Sequence, residues 1–352
     1  MLKHIFTLLF FIYSGNFFSQ NSANIQGKIL TDKNYEKDTI VFSAGIIDEK
    51  YYANTKLTSA INNNKFNIQG IFSCPQMYSY SMNSEKDVIL FRNGKYFIDQ
   101  STTSIIVSDM ITKQGEVIGK TGNEYQNKFI PFILANSSDN FEHFYYNNSE
   151  MFDKKLYKYV IKNPDSYVAL WFLIERYNIE GYSDLYETTL NSFSHSIKKQ
   201  KLWLTLNAEL KNTLIRKGRK FPEMSLQNTS LKTEILNIPD SKYTLIEFWF
   251  SRCRPCLEQL PSLKKIYNRY YAKSFNIIAI STDKTQNVVP YWQKRIVEYE
   301  IPWKNYLDEN AVIAAREKII SFPTNFLIDK DHNVIKKNIT PEDLEKFLSE
   351  NL

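Results

Sequence analysis

The chain is poor in the residues that staple or metallate a protein: three cysteines and four histidines stand among 352 residues. A disulfide-stapled scaffold needs a denser cysteine set, and a chain of this length can build its cores without staples. Cys253 and Cys256 form the one close cysteine pair, and with no second pair a four-ligand zinc site is hard to assemble. No metal and no separate cofactor are expected. A strong charge of one sign is also missing. Lys+Arg number 44 against 38 Asp+Glu, the net charge is +6, and no basic stripe gathers it. Nucleic acid is therefore not an expected partner. Past the N-terminus, no segment has the roughly 20 apolar residues that a membrane-spanning helix requires.

What is present is apolar and aromatic in quantity, 43% and 15% of residues. That supports packed cores, and the length suggests two or three domains. Residues 1–20 read MLKHIFTLLFFIYSGNFFSQ. Lys3 gives a positive start, Ile5 to Tyr13 form a short apolar run, and Ser14 and Gly15 end it. This is the layout of a secretory signal peptide. The competing arrangement is an anchor helix extended through Phe17 and Phe18. No cysteine follows the run, so a lipid anchor is not indicated. Export is expected, to the periplasm in a Gram-negative cell.

Three patterns divide the rest. Residues 21–124 alternate with period two, as in Ile25-Gln26-Gly27-Lys28-Ile29 and Lys65-Phe66-Asn67-Ile68-Gln69. Tyr96 to Ile98 and Thr103 to Val107 add β-branched and aromatic runs. An all-β domain, an antiparallel sandwich or barrel, is expected here. Cys74, in Phe72-Ser73-Cys74-Pro75, reads as a small buried side chain. Residues 125–217 turn to helical spacing and read as a helical connector. There Asp165 or Ser166 can cap a helix beginning at Tyr167. Residues 218–352 alternate strand and helix. Thr244–Phe250, Phe275–Ser281, Thr324–Asp329 and Asn333–Lys336 are predicted strands. Helices are predicted over 257–271, 287–299 and from Thr340-Pro341 onward. This order gives an α/β domain, a central sheet covered by helices on both faces.

The chemistry lies where the strand Leu245-Ile246-Glu247-Phe248-Trp249-Phe250 runs through Ser251-Arg252 into Cys253-Arg254-Pro255-Cys256, with a helix starting there. A thiol at a helix N-terminus faces unpaired amide donors and the positive end of the helix dipole, and both favour thiolate. Arg252 and Arg254 add positive charge. Cys253 is thus the expected attacking sulfur. Cys256, one turn in, can displace a substrate held as a mixed disulfide. Glu247 is ionisable inside an apolar strand; burial would raise its pKa towards neutrality, fitting it to move protons for Cys256. The bland alternative is a solvated strand edge. Pro323 precedes the strand Asn325-Phe326-Leu327-Ile328, and its X-Pro bond can be cis or trans.

Together these residues resemble the thioredoxin superfamily, and within it the TlpA/ResA-like exported oxidoreductases. The match runs over residues 218 to 352 and rests on Phe248-Trp249, Cys253-Arg254-Pro255-Cys256, Pro261 five residues later, and Pro323-Thr324 before Phe326-Leu327-Ile328-Asp329. The resemblance implies a thioredoxin-like fold, a helix kinked at Pro261 and a redox-active disulfide Cys253–Cys256. It also implies a cis-proline loop at Pro323 and a buried acid at Glu247. Arg252, Arg254, Trp249, Phe322 and Pro323 are then expected at the substrate-facing surface. Two departures concern substrate choice: Arg252 stands where the family usually has Trp, and Phe322 where it has a small or β-branched residue. The implied activity is disulfide exchange with envelope proteins, more as reductant than oxidant, with electrons from a membrane partner. A peroxiredoxin-like peroxidase is the alternative, but Ile246 and Phe250 stand where its Pro and Thr would be. A binding or assembly protein with an accessory redox domain is another. The front of the chain resembles, more faintly, a multi-domain architecture of Bacteroidetes-type envelopes, and brings no assigned chemistry.

Overall fold

The computed structural model describes residues 21–30, 38–83, 88–89, 94–108, 115–283 and 285–352. The expected signal segment lies outside these residues. The described residues divide into two compact units, those up to residue 45 with those of 52–128, and residues 46–51 with those of 129–352.

The first unit holds two sheets. One runs in the order Lys65–Phe72, Asn21–Leu30, Ser104–Ser108, Val117–Ile118; the other joins Lys56–Ala60, Thr39–Ser43, Gln76–Asn83 and Val88–Ile89, with Lys95–Ile98 also on Gln76–Asn83. Phe42 from the second sheet meets Phe66 from the first with ring centroids 6.1 Å apart, and Tyr96 stands edge-on to Phe42 at 5.7 Å. Gly27 lies opposite Phe66 in the register, and a Cβ there would fall 2.0 Å from the Phe66 ring. The expectation of a wholly antiparallel arrangement is corrected here. Asn21–Leu30 pairs parallel with Ser104–Ser108. All five strands of the second sheet, and Lys65–Phe72 of the first, lie between these two in the chain, and so long a connection lets the later strand run in the same direction.

In the second unit, five of the helices are Phe141–Asn147, Ser149–Lys162, Tyr167–Glu180, Asp184–Asn191 and Lys201–Asn212. Ser166 caps the third of these, its side chain accepting from the amide of Ala169. Every residue from Val168 to Asn178 is buried, which makes this the central helix of the group rather than an amphipathic surface helix. No helix among the described residues is long and apolar enough to cross a membrane.

The same unit continues into a seven-stranded sheet. Its order is Thr233–Ile235, Ser225–Asn228, Lys304–Leu307, Phe275–Ser281, Tyr243–Trp249, Thr324–Asp329, Val334–Lys337. Tyr243–Trp249 runs parallel to Phe275–Ser281 on one side and antiparallel to Thr324–Asp329 on the other. Alternate residues of this strand feed different cores. Leu245 and Trp249 join Leu260, Leu263 and Trp292 from helices Arg254–Tyr270 and Thr285–Glu298 and Leu344 from helix Pro341–Asn351. Ile246 and Phe248 join Phe221, Met224 and Ala314 on the opposite face. This is the thioredoxin-like fold, with its sheet flanked by helices on both sides.

Candidate active site

The central strand ends at Trp249, and five residues later, at Arg254, the chain enters the longest helix among the described residues. Cys253 is that helix's N-cap: its Sγ accepts from the backbone N–H of Cys256 at 3.2 Å. Serine and aspartate usually hold this place, because an N-cap side chain must satisfy a free amide. Here a sulfur takes the role, so any charge on it faces N–H donors and the helix dipole. Arg254 and Pro255 open the helix, a position where proline's missing N–H costs nothing. Pro261 lies inside it. Cys253 and Cys256 are bonded, S–S 2.05 Å, with Cα atoms 5.2 Å apart. The pair is nearly covered, with 3% and 1% of the residue surface exposed.

Beneath the helix lies Glu247, 4% exposed and opposite Ala279 and Asn325 in the sheet. Burial pushes its carboxyl up to about 8, opposed by one hydrogen bond from Gln259. Gln259 Nε2 donates to Oε1 at 2.5 Å, while Oε2 is buried with no hydrogen-bond partner among the described residues. Gln259 stands three residues after Cys256 on the same helix, so the two share a face. The amide therefore fixes the carboxyl under the helix that carries the buried sulfur. The solvated-edge alternative for Glu247 is excluded by its burial. Gln259 carried no signal in the sequence, since a glutamine one turn into an amphipathic helix reads as surface.

The Phe322–Pro323 peptide bond is cis. Phe322 stands edge-on to Phe250, centroids 5.4 Å apart, which joins the proline loop to the turn before Cys253. Thr324 Oγ1 donates to the carbonyl of Ser321 at 2.8 Å and braces the loop. Arg252 is exposed, its guanidinium over the Tyr291 ring at 5.0 Å. Arg254 is exposed too and pairs with Glu258 at 2.7 Å. Trp249 is a correction. Expected at the substrate-facing surface, it is 2% exposed and packs in the core that contains the disulfide. The strand's alternation, which sends Leu245 and Trp249 inward together, puts it there. Cys74 is half-buried and outside the disulfide, with Gln76 Nε2 at 3.5 Å from its sulfur.

Residues 216–350 match the Redoxin family model. A thiol-disulfide oxidoreductase ResA from Bacillus thuringiensis subsp. konkukian is 32% identical over 136 residues, covering 37% of this chain and 76% of the relative. Another ResA, from Bacillus cereus, is 30% identical over 134 residues, covering 37% and 76%. Among solved structures, the thioredoxin domain of a thiol-disulfide oxidoreductase from Bacteroides vulgatus is 27% identical, with a TM-score of 0.35. The match covers 38% of this chain and 96% of that one.

Proposed function

The chain belongs to the TlpA/ResA-like thiol–disulfide oxidoreductases of the thioredoxin superfamily, and on that premise we propose that it is an exported reductant of protein disulfides working through Cys253 and Cys256. The observation that carries the assignment of roles is the sulfur cap: Cys253 Sγ sits on the Cys256 amide at a helix start, at 3.2 Å. The reduced pair begins with Cys253 as thiolate. It attacks one sulfur of the substrate's disulfide; that bond breaks, the second substrate sulfur leaves and takes a proton, and a mixed disulfide forms. Cys256 then gives its proton to the Glu247 carboxylate and attacks Cys253 Sγ. The mixed disulfide breaks, the first substrate sulfur leaves as a thiolate that takes up the proton Glu247 received, and the pair is oxidised as the substrate gains two electrons.

A carboxyl pushed up to about 8 by burial holds a proton near neutrality and can also give one up. Its Oε2, buried and without a hydrogen-bond partner among the described residues, supports the relay role. Arg252 and Phe322, with Arg254 and Pro323, are proposed to meet the substrate. A membrane-bound dithiol partner is proposed to return the pair to its reduced state. Export rests on the pattern of residues 1–20.

The test is insulin reduction driven by a small dithiol, comparing wild type with Cys253→Ser. Turnover falls to the uncatalysed level in the variant if Cys253 is the nucleophile; equal turnover overturns the assignment.

A further inference from the structure

The turn that presents Cys253 is itself held by groups outside the exchange chemistry. Where the strand Phe275–Ser281 ends, Ser281-Thr282-Asp283 runs on beside the end of the central strand. The Thr282 N–H and Oγ1 both donate to the carbonyl of Trp249, at 2.9 and 3.2 Å. The Asp283 carboxylate then takes over. Its Oδ2 accepts from the Ser251 N–H at 2.8 Å, and its Oδ1 from the Ser251 hydroxyl at 2.8 Å. The Ser281 hydroxyl donates to Oδ2 at 2.7 Å. Ser251 and Ser281 are 0% exposed and Asp283 is 3% exposed. A carboxylate receiving three donors in a dry site makes strong bonds, and losing it would leave a buried amide and hydroxyls without an acceptor.

In the oxidised protein the disulfide keeps Cys253 at the helix start. Reduction removes that tether. What then holds Sγ over the Cys256 amide is the backbone of the turn, and Ser251 lies two residues before Cys253. We propose that Asp283 is a positioning residue for disulfide exchange: by clamping Ser251 it keeps the Cys253 sulfur on the helix N-terminus in the reduced enzyme. This rests on the reading of Cys253 as the nucleophile. Asp283 does not touch the reacting sulfurs; it acts through two peptide units.

Charge and position make opposite demands on the test. Removing a nearby carboxylate, taken alone, would favour the thiolate and lower the Cys253 pKa. Losing the amide contact would raise it. Asp283→Asn keeps an oxygen for the Ser251 N–H, and the Ser251 hydroxyl can turn to accept from the new amide. Asp283→Ala removes the clamp, and Ser251→Ala removes one bond of it.

The experiment is the pH dependence of Cys253 alkylation by iodoacetamide in the reduced full chain carrying Cys74→Ser, with the modified site read by peptide mass. Asp283→Ala is expected to move the midpoint up by about one unit, so that alkylation near neutral pH slows about tenfold. Asp283→Asn is expected to return it to the wild-type value or below. Should Asp283→Ala fail to fold, Ser251→Ala is expected to shift the midpoint in the same direction by less. A folded Asp283→Ala, or failing that Ser251→Ala, with an unchanged or lowered midpoint overturns the clamp. A parental Cys74→Ser chain whose Cys253 titrates like an ordinary thiol overturns the nucleophile assignment instead, so the two failures are distinguishable.

Discussion

Two buried ionisable groups in the second unit are treated in opposite ways. Arg176, in the central helix of the connector, is 2% exposed, and its charge is answered: Nε meets Asp153 Oδ1 at 2.7 Å and Nη2 meets Glu180 Oε1 at 3.2 Å. Asp153 in turn accepts from the Tyr186 hydroxyl at 2.7 Å. Glu247, on the central strand of the sheet, is as deeply buried, yet it has a neutral amide on one oxygen and, among the described residues, no hydrogen-bond partner on the other. An ionic group that only supports a fold is surrounded by partners, because an unpaired charge in a dry interior is costly. Burial with so little compensation lifts the carboxyl to about 8, so near neutrality it both holds and releases a proton, and a relay to a buried thiol requires that exchange.

The contrast can be tested from both sides. The largest effect is on pH-dependent stability. The folded chain binds the Glu247 proton more tightly than the unfolded chain, whose carboxyl titrates near 4.5, while in the fold it is pushed up to about 8. Between those values the folded state holds a proton the unfolded state has lost, so stability falls as pH rises. The fall amounts to about 5 kcal/mol across the window. Urea unfolding of the oxidised protein at a series of pH values should show it, and Glu247→Gln should flatten that part of the curve. An identical slope in the variant would place the titration elsewhere. Next is Arg176→Met, expected to cost about 3–5 kcal/mol by stranding Asp153, with turnover per folded molecule unchanged. A loss of turnover at full folding would make the connector part of the catalytic machinery. Third, Glu247→Gln should slow turnover on the order of a hundredfold near neutral pH while leaving the first attack by Cys253 fast. If both steps slow equally, the carboxyl is not serving Cys256. The smallest effect is Ser166→Ala, a lost helix cap worth about 1 kcal/mol and neutral for turnover, checked by thermal unfolding.

The redox domain was legible because its signals are local. A strand, a cysteine pair and a helix start are contiguous, so the cap geometry of Cys253 could be foreseen from order alone. The cap at Ser166 was legible for the same reason. What escaped depends on residues far apart in the chain. Asp283 and Ser251 are 32 positions apart and meet because two parallel strands end side by side. Gln259 reads as solvated until the sheet beneath it is known. The parallel pairing of Asn21–Leu30 with Ser104–Ser108 has no local signature, because period-two alternation is the same for either direction. Trp249 packs against the redox pair from the core side and not from the surface, because strand alternation buries its ring with the disulfide while Phe248 turns to the opposite core. The hairpin strand predicted at Asn333–Lys336 forms at Val334–Lys337, where an irregularity between Leu327 and Ile328 shifts the register.

The division of labour between the two sulfurs can be read from a trapped intermediate. Reduced Cys256→Ser is mixed with insulin, and the products are resolved without reductant and mapped by peptide mass. The account predicts a lasting mixed disulfide between insulin and Cys253, and no such adduct in Cys253→Ser. An adduct at Cys256 in Cys253→Ser, formed as fast as the first, would contradict it.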